Sequence, residues 1–136
     1  LLVSTGAYGA WRALDQRVLK TQTAHDSIAV VGFLDTPLQS IRSGQSVRII
    51  GWMWHPAGVR SAYLYAGERA ISRLDLLRPR PDVASAHPNK RGMKHSGFEV
   101  QLNAGDTKEF ARGKALSLRI ALHNGRASQL DFGTLP

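Results

Sequence analysis

Beyond position 27 the chain is patterned in twos. In GFEVQL, Phe98, Val100 and Leu102 share one parity while Glu99 and Gln101 share the other; in ALSLRIALH, Leu116, Leu118, Ile120 and Leu122 are separated by Ser117, Arg119 and Ala121. Successive side chains of a strand point to opposite faces, so this alternation predicts strands with one buried face. Two further apolar runs read as strands. IAVVGFL (Ile28 to Leu34) is stopped by Asp35-Thr36-Pro37, and SVRIIGWMW (Ser46 to Trp54) by His55-Pro56-Ala57-Gly58. VRSAYLYA and RAISRLDLL flank Gly67-Glu68 and predict a hairpin. Asn124-Gly125 predicts a type I′ turn, which returns the chain into a strand with Ser128, Leu130 and Phe132 inward.

The start of the chain follows a different period. Trp11, Leu14 and Val18 recur three and four residues apart, which predicts a helix over Ala7 to about Lys20, followed by the polar linker TQTAHDS. The expected organisation is an N-terminal helix and linker over residues 1–24 and one β domain over 25–136. About seven short strands joined by Gly, Pro and Asn turns predict an all-β, antiparallel sandwich of immunoglobulin-like type. A five-stranded oligonucleotide-binding barrel is the alternative.

Composition narrows the chemistry. With 136 residues, 43% hydrophobic and 21% charged, the chain has the make-up of one folded domain. There are no cysteines, which excludes disulfides, thiolate metal sites and a cysteine nucleophile. Lys and Arg number 18 against 10 acids, a formal net charge of +8 that favours anionic partners: nucleic acid, an anionic membrane surface or an acidic polymer. No 18-residue apolar run is present to span a bilayer. The chain opens Leu-Leu-Val without methionine and is expected to be a piece of something longer or a processed product. Leu1 to Val3 read either as the end of a membrane helix or as the start of an amphipathic helix docked on the domain. Arg12, Arg17 and Lys20 beside a membrane helix would favour a cytoplasmic side by the positive-inside rule.

No catalytic motif emerges. A Gly-x-Ser-x-Gly elbow, a Gly-rich phosphate loop and a Walker motif are all missing. Histidines 25, 55, 87, 95 and 123 lack the tight spacings of zinc sites, and a site built from His87, His95 and Asp82 is disfavoured for that reason. His95-Ser96 with Asp82 makes an equally weak triad. No enzyme activity, cofactor or metal is expected. Trp52 and Trp54 share a face two residues apart, with at least one expected in the core; the alternative is an exposed pair stacking on sugar rings or bases. Tyr63 and Tyr65, on the side opposite Leu64, are expected on the outer surface as stacking platforms.

The connection RPRPDVASAHPNKRGMKHS (Arg78 to Ser96) is longer than the roughly 12 to 15 residues usual for structureless loops. It is therefore expected to be pinned by its own contacts. Pro81 fixes φ, Asp82 closes a turn within reach of Arg78 and Arg80, Val83 tucks inward, Pro88 extends the chain, and Asn89 to Lys94 form a cationic tip before Gly97-Phe98 re-enters the sheet.

Gly51-Trp52, a hairpin ending at Gly67, Arg80-Pro81-Asp82-Val83, Pro88 and Gly97-Phe98, taken in that order, resemble an immunoglobulin-like module of bacterial cell-envelope proteins, often appended to membrane-embedded glycosyltransferases. The resemblance covers about Gly32 to Phe132. The second tryptophan and Tyr65-Ala66-Gly67 depart from its pattern. It implies a noncatalytic, periplasmic or extracytoplasmic accessory domain tethered to a larger membrane or envelope protein. Contact with a glycan or anionic polymer is expected through Arg80, Lys90, Arg91, Lys94 and His95, with Tyr63 and Tyr65 as platforms and Trp52, Asp82, Val83, Pro88, Gly97 and Phe98 as structure. A nucleic-acid-binding β module is the alternative, resting on charge and the four strand aromatics.

Overall fold

A computed structural model describes residues 24–136. The expected helix over Ala7 to Lys20 and the juxtamembrane reading of Leu1 to Val3 lie outside the described residues. The described residues form eight strands: β1 (Val31–Leu34), β2 (Val47–Trp54), β3 (Val59–Ala66), β4 (Arg69–Arg73), β5 (Asp75–Arg78), β6 (Gly97–Leu102), β7 (Ala115–Leu122) and β8 (Ala127–Thr134). Short helices α1 (Pro81–Ala86) and α2 (Ala104–Thr107) interrupt the connections on either side of β6. The strands form two four-stranded antiparallel sheets, β1-β2-β6-β5 and β4-β3-β7-β8.

Apolar side chains between the sheets make this a β-sandwich. Ile49 and Met53 of β2 and Phe98, Val100 and Leu102 of β6 meet Ala62 and Leu64 of β3 and Leu116, Leu118, Ile120 and Leu122 of β7 in one buried cluster. Leu130 and Phe132 pack against it from β8. The alternation in β6, β7 and β8 thus reads the buried face correctly, because each of these strands keeps one face on the core and turns the other away.

RAISRLDLL, expected as a single strand, is two. β4 belongs to the sheet of β3, and β5 crosses to the other sheet and pairs with β6. Leu74 is the crossover: its side chain is buried and its N–H donates to the Ala62 carbonyl at 3.0 Å. Asp75-Leu76-Leu77 then breaks the period of two, and the ladder is irregular between Asp75 and Arg78. Within that irregularity Leu77 takes φ 61°, the one positive φ of a non-glycine among the described residues.

Two turns differ in their chemistry. Gly67 has φ 60° at the first central position of the β3–β4 hairpin, as a type II′ turn requires. In the β7–β8 turn only Gly125 is positive, at 83°, and its N–H donates to the Leu122 carbonyl at 3.1 Å while Asn124 Oδ1 accepts from the Arg126 N–H at 2.9 Å. That is a type I turn followed by a left-handed glycine, not type I′: the Asn124 side chain closes the loop without its own backbone turning left-handed.

Candidate functional site

The long connection is folded onto the outside of the first sheet. β2 sends Ile49, Gly51 and Met53 toward the core, so Arg48, Ile50, Trp52 and Trp54 face outward. Neither tryptophan is a core residue, contrary to the expectation for at least one of them. Glycine 51 explains why: a Cβ there would strike the Phe33 carbonyl and come within 2.5 Å of Phe98 Cζ, so the space inward of β2 at this level already holds the Phe98 ring. The tryptophans hold the loop instead. Trp54 Nε1 donates to the Arg91 carbonyl at 2.7 Å, Lys90 Nζ sits 4.6 Å from the Trp54 ring centroid, and the His87 ring lies 5.5 Å from that of Trp52. Val83 and Met93 are buried, apart from the inter-sheet cluster.

Arg80 closes the loop at its base. Its Nε and Nη2 donate to the two carboxylate oxygens of Asp82 at 3.0 and 2.9 Å, its Nη1 donates to Asp35 Oδ2 at 2.6 Å, and its backbone N–H donates to the Lys94 carbonyl at 2.8 Å. The fork geometry of a guanidinium suits such a bidentate pair. Hydrogen bonding to Arg80 pulls the Asp82 carboxyl down to about 2. The same bond to Asp82 raises Arg80 above its ordinary value. Arg80-Pro81-Asp82-Val83 is therefore a helix start, with Pro81 at the first helical position, and not the turn its composition suggested. Arg78, expected near Asp82, pairs with Glu99 at 3.1 Å, which also receives Arg48 at 3.1 Å. Those hydrogen bonds, Arg48 first, lower the Glu99 pKa. Gly97 is needed where the loop rejoins the sheet, because a Cβ would meet the Arg78 carbonyl at 2.7 Å and Arg80 Cγ at 2.8 Å.

The structure brings Lys90, Arg91, Lys94 and His95 together on this loop, with Arg91, Lys94 and His95 exposed. No ion pair engages Lys90, Arg91 or Lys94 among the described residues. Arg80 belongs to the scaffold beneath them. Tyr63 and Tyr65 do point away from Leu64 and the inter-sheet core, but both are 0% exposed, so they are not the surface platforms expected. The Arg119 guanidinium lies 4.0 Å from the Tyr65 ring centroid and reaches Glu68 at 2.9 Å.

A cleft of about 390 Å³ opens beside the loop, between the β2–β3 turn, β5 and the segment around Arg91 to Gly97. Met53, Val59, Leu76 and Leu77 supply its apolar lining, and Arg91, His95 and His123 also border it. Its polar wall is internally satisfied. The His55 Nδ1 accepts the Ala57 N–H at 3.0 Å, which places the ring proton on Nε2, 3.2 Å from Asp26 Oδ1 and 3.1 Å from the Ile28 carbonyl. Asp26 also accepts the Ile28 N–H and the Asn124 amide, and these bonds, in that order, lower its pKa. An aspartate–histidine pair of this kind can serve a nucleophile only if the second ring nitrogen is free to take a proton. Here that nitrogen is held by backbone, so the pair fastens the start of the domain to two turns. Among the described residues no three of His, Asp and Glu gather as a metal site. Likewise, no described helix is long and apolar enough to cross a membrane.

Leu77 and His123 are not among the expected site residues, and Trp54 enters only as one of the four strand aromatics of the nucleic-acid alternative. Trp54 shares its parity with Arg48, a signal that this face is turned away from the core. Leu77 carries no such signal, since a left-handed leucine is contrary to its propensity. No family model, no curated protein and no solved structure matches the chain.

Proposed function

We propose that the chain is an immunoglobulin-like, noncatalytic interaction module of a larger cell-envelope protein, working outside the cytoplasm and contacting an acidic polymer, such as a uronate-bearing glycan, through its Trp-pinned loop. The strand orders support the immunoglobulin-like reading. With β1, β2, β6 and β5 taken as A, B, E and D, and β4, β3, β7 and β8 as C′, C, F and G, they follow the two sheets of that fold. The envelope setting rests on the ordered resemblance of Arg80-Pro81-Asp82-Val83, Pro88 and Gly97-Phe98.

The observation that carries the contact surface is a set of cations, Lys90, Arg91 and Lys94, with no carboxylate partner among the described residues, on a loop fixed by Trp54 and Arg80. A loop whose backbone is already held binds without the cost of ordering a mobile segment. The nucleic-acid reading loses two of its four aromatics, because Tyr63 and Tyr65 are buried.

Titration of the full chain with polygalacturonate and with an uncharged glucan tests the reading. Polygalacturonate is expected to bind, more weakly as salt rises, and the triple variant Lys90→Gln, Arg91→Gln, Lys94→Gln to lose at least tenfold in affinity. Equal binding by the variant and the wild type would remove the loop from the account. Tighter binding to single-stranded DNA than to the polyuronate would favour the nucleic-acid alternative.

A further inference from the structure

The cleft beside the loop has a different character from the cationic tip, and its features converge on a ligand of another kind. Its lining is apolar through Met53, Val59, Leu76 and Leu77. The polar groups on its walls are already used: the Trp54 indole N–H by the Arg91 carbonyl, the His55 ring by Ala57, Asp26 and Ile28, and Ser96 Oγ by the Met93 carbonyl at 2.7 Å. An occupant therefore finds little hydrogen bonding inside and gains from burying apolar surface. At the border stand the exposed side chains of Arg91, His95 and His123, with no acid among the lining residues. Leu77 is held at φ 61° with its side chain 70% exposed. Strained backbone that displays an apolar side chain beside a cavity is the kind of local cost that persists at binding sites.

We propose that this cleft binds an anionic amphiphile, a linear apolar chain seated against Val59, Leu76 and Leu77 with its charged head at Arg91 and His95. The volume lies at the small-ligand end of the range for such sites, which suits a single chain. The source is either a free amphiphile or one lipid lifted from an anionic surface, and the chemistry recognised is the same.

The full chain titrated with decanoate, with decanol and with vesicles of phosphatidylglycerol or phosphatidylcholine tests this, read by amide shifts and calorimetry. Decanoate is expected to saturate at one site, with shifts at Leu76, Leu77, Gly92 and His123, and to bind roughly tenfold more tightly than decanol, the worth of a charge-assisted contact. Arg91→Gln should equalise the two, and Leu77→Asp should weaken both while leaving the thermal midpoint near that of the wild type, since Leu77 is exposed. Phosphatidylglycerol vesicles that bind in a Leu77-dependent way identify a membrane lipid as the source, and decanoate binding alone identifies a free amphiphile. Equal affinity for decanoate and decanol in the wild type, or binding unchanged by Leu77→Asp, would overturn the proposal. Lys90→Gln with Lys94→Gln separates the two readings: it should weaken the polyuronate and spare decanoate.

Discussion

At Gly51 the whole upper end of the first sheet depends on a missing methyl group. The Phe98 ring fills the place of its side chain and the Phe33 carbonyl closes it off, which leaves Trp52 and Trp54 outside. Gly51→Ala is expected to destabilise the fold by about 1–3 kcal/mol, the range for overpacking. A urea midpoint equal to the wild type would show that the strand relaxes freely. Asp82 makes a second prediction at this scale. Its folded pKa of about 2 lies below the ordinary aspartate value of 3.8, because Arg80 donates to its charged form. The stability it contributes is thus fully present above about pH 4 and is lost as pH falls through about 2. Asp82→Asn should lower stability at neutral pH and narrow its difference from the wild type in acid. A constant difference from pH 7 to pH 2 would contradict the pairing. Pro81 and Gly97 were legible as punctuation in the sequence, whereas the Arg78 carbonyl against Gly97 and the Phe98 ring against Gly51 were not.

The loop between β5 and β6 shows what an element adds. Its length and charge predicted an excursion anchored by its own contacts; Arg80 with Asp82 is such an anchor, and Trp52 and Trp54 of β2 add others from the sheet. β2 was readable as a strand; its orientation was not, since Ile50, Trp52 and Trp54 are as apolar as Ile49 and Met53 and only Arg48 marks the outward parity. Trp54→Phe removes the indole donor to Arg91 and should cost about 1 kcal/mol in loop ordering. Amide exchange is the measure: the Arg80 N–H, bonded to the Lys94 carbonyl, should exchange several-fold faster while core amides of β7 do not change. Unchanged exchange at Arg80 would mean that Arg80 with Asp82 suffices. β5 was hidden for another reason. RAISRLDLL is continuous in propensity, and the switch of sheet at Leu74 is a tertiary event. Leu77→Gly should relieve the left-handed strain and raise stability by up to about 1 kcal/mol. A lower unfolding midpoint would argue that the leucine side chain itself stabilises the fold.

For the molecule as a whole, three strands with clean alternation, β6, β7 and β8, place the core correctly, and the turn residues separate most of their neighbours. What the pattern does not encode is which sheet each strand joins, because both sheets draw on the same core. That sorting makes the two outer faces different. One sheet buries Tyr63 and Tyr65 on the side away from the core, and the other carries the tryptophans, the pinned loop and its cations. The proposed polymer contact belongs to the β1-β2-β6-β5 sheet alone. An amide shift map of the full chain with polygalacturonate is its most direct test. The account predicts changes clustered at Lys90 to His95 and at the Trp54 indole, with β3, β7 and β8 silent. Changes centred on β3 and β7, with the loop silent, would contradict it.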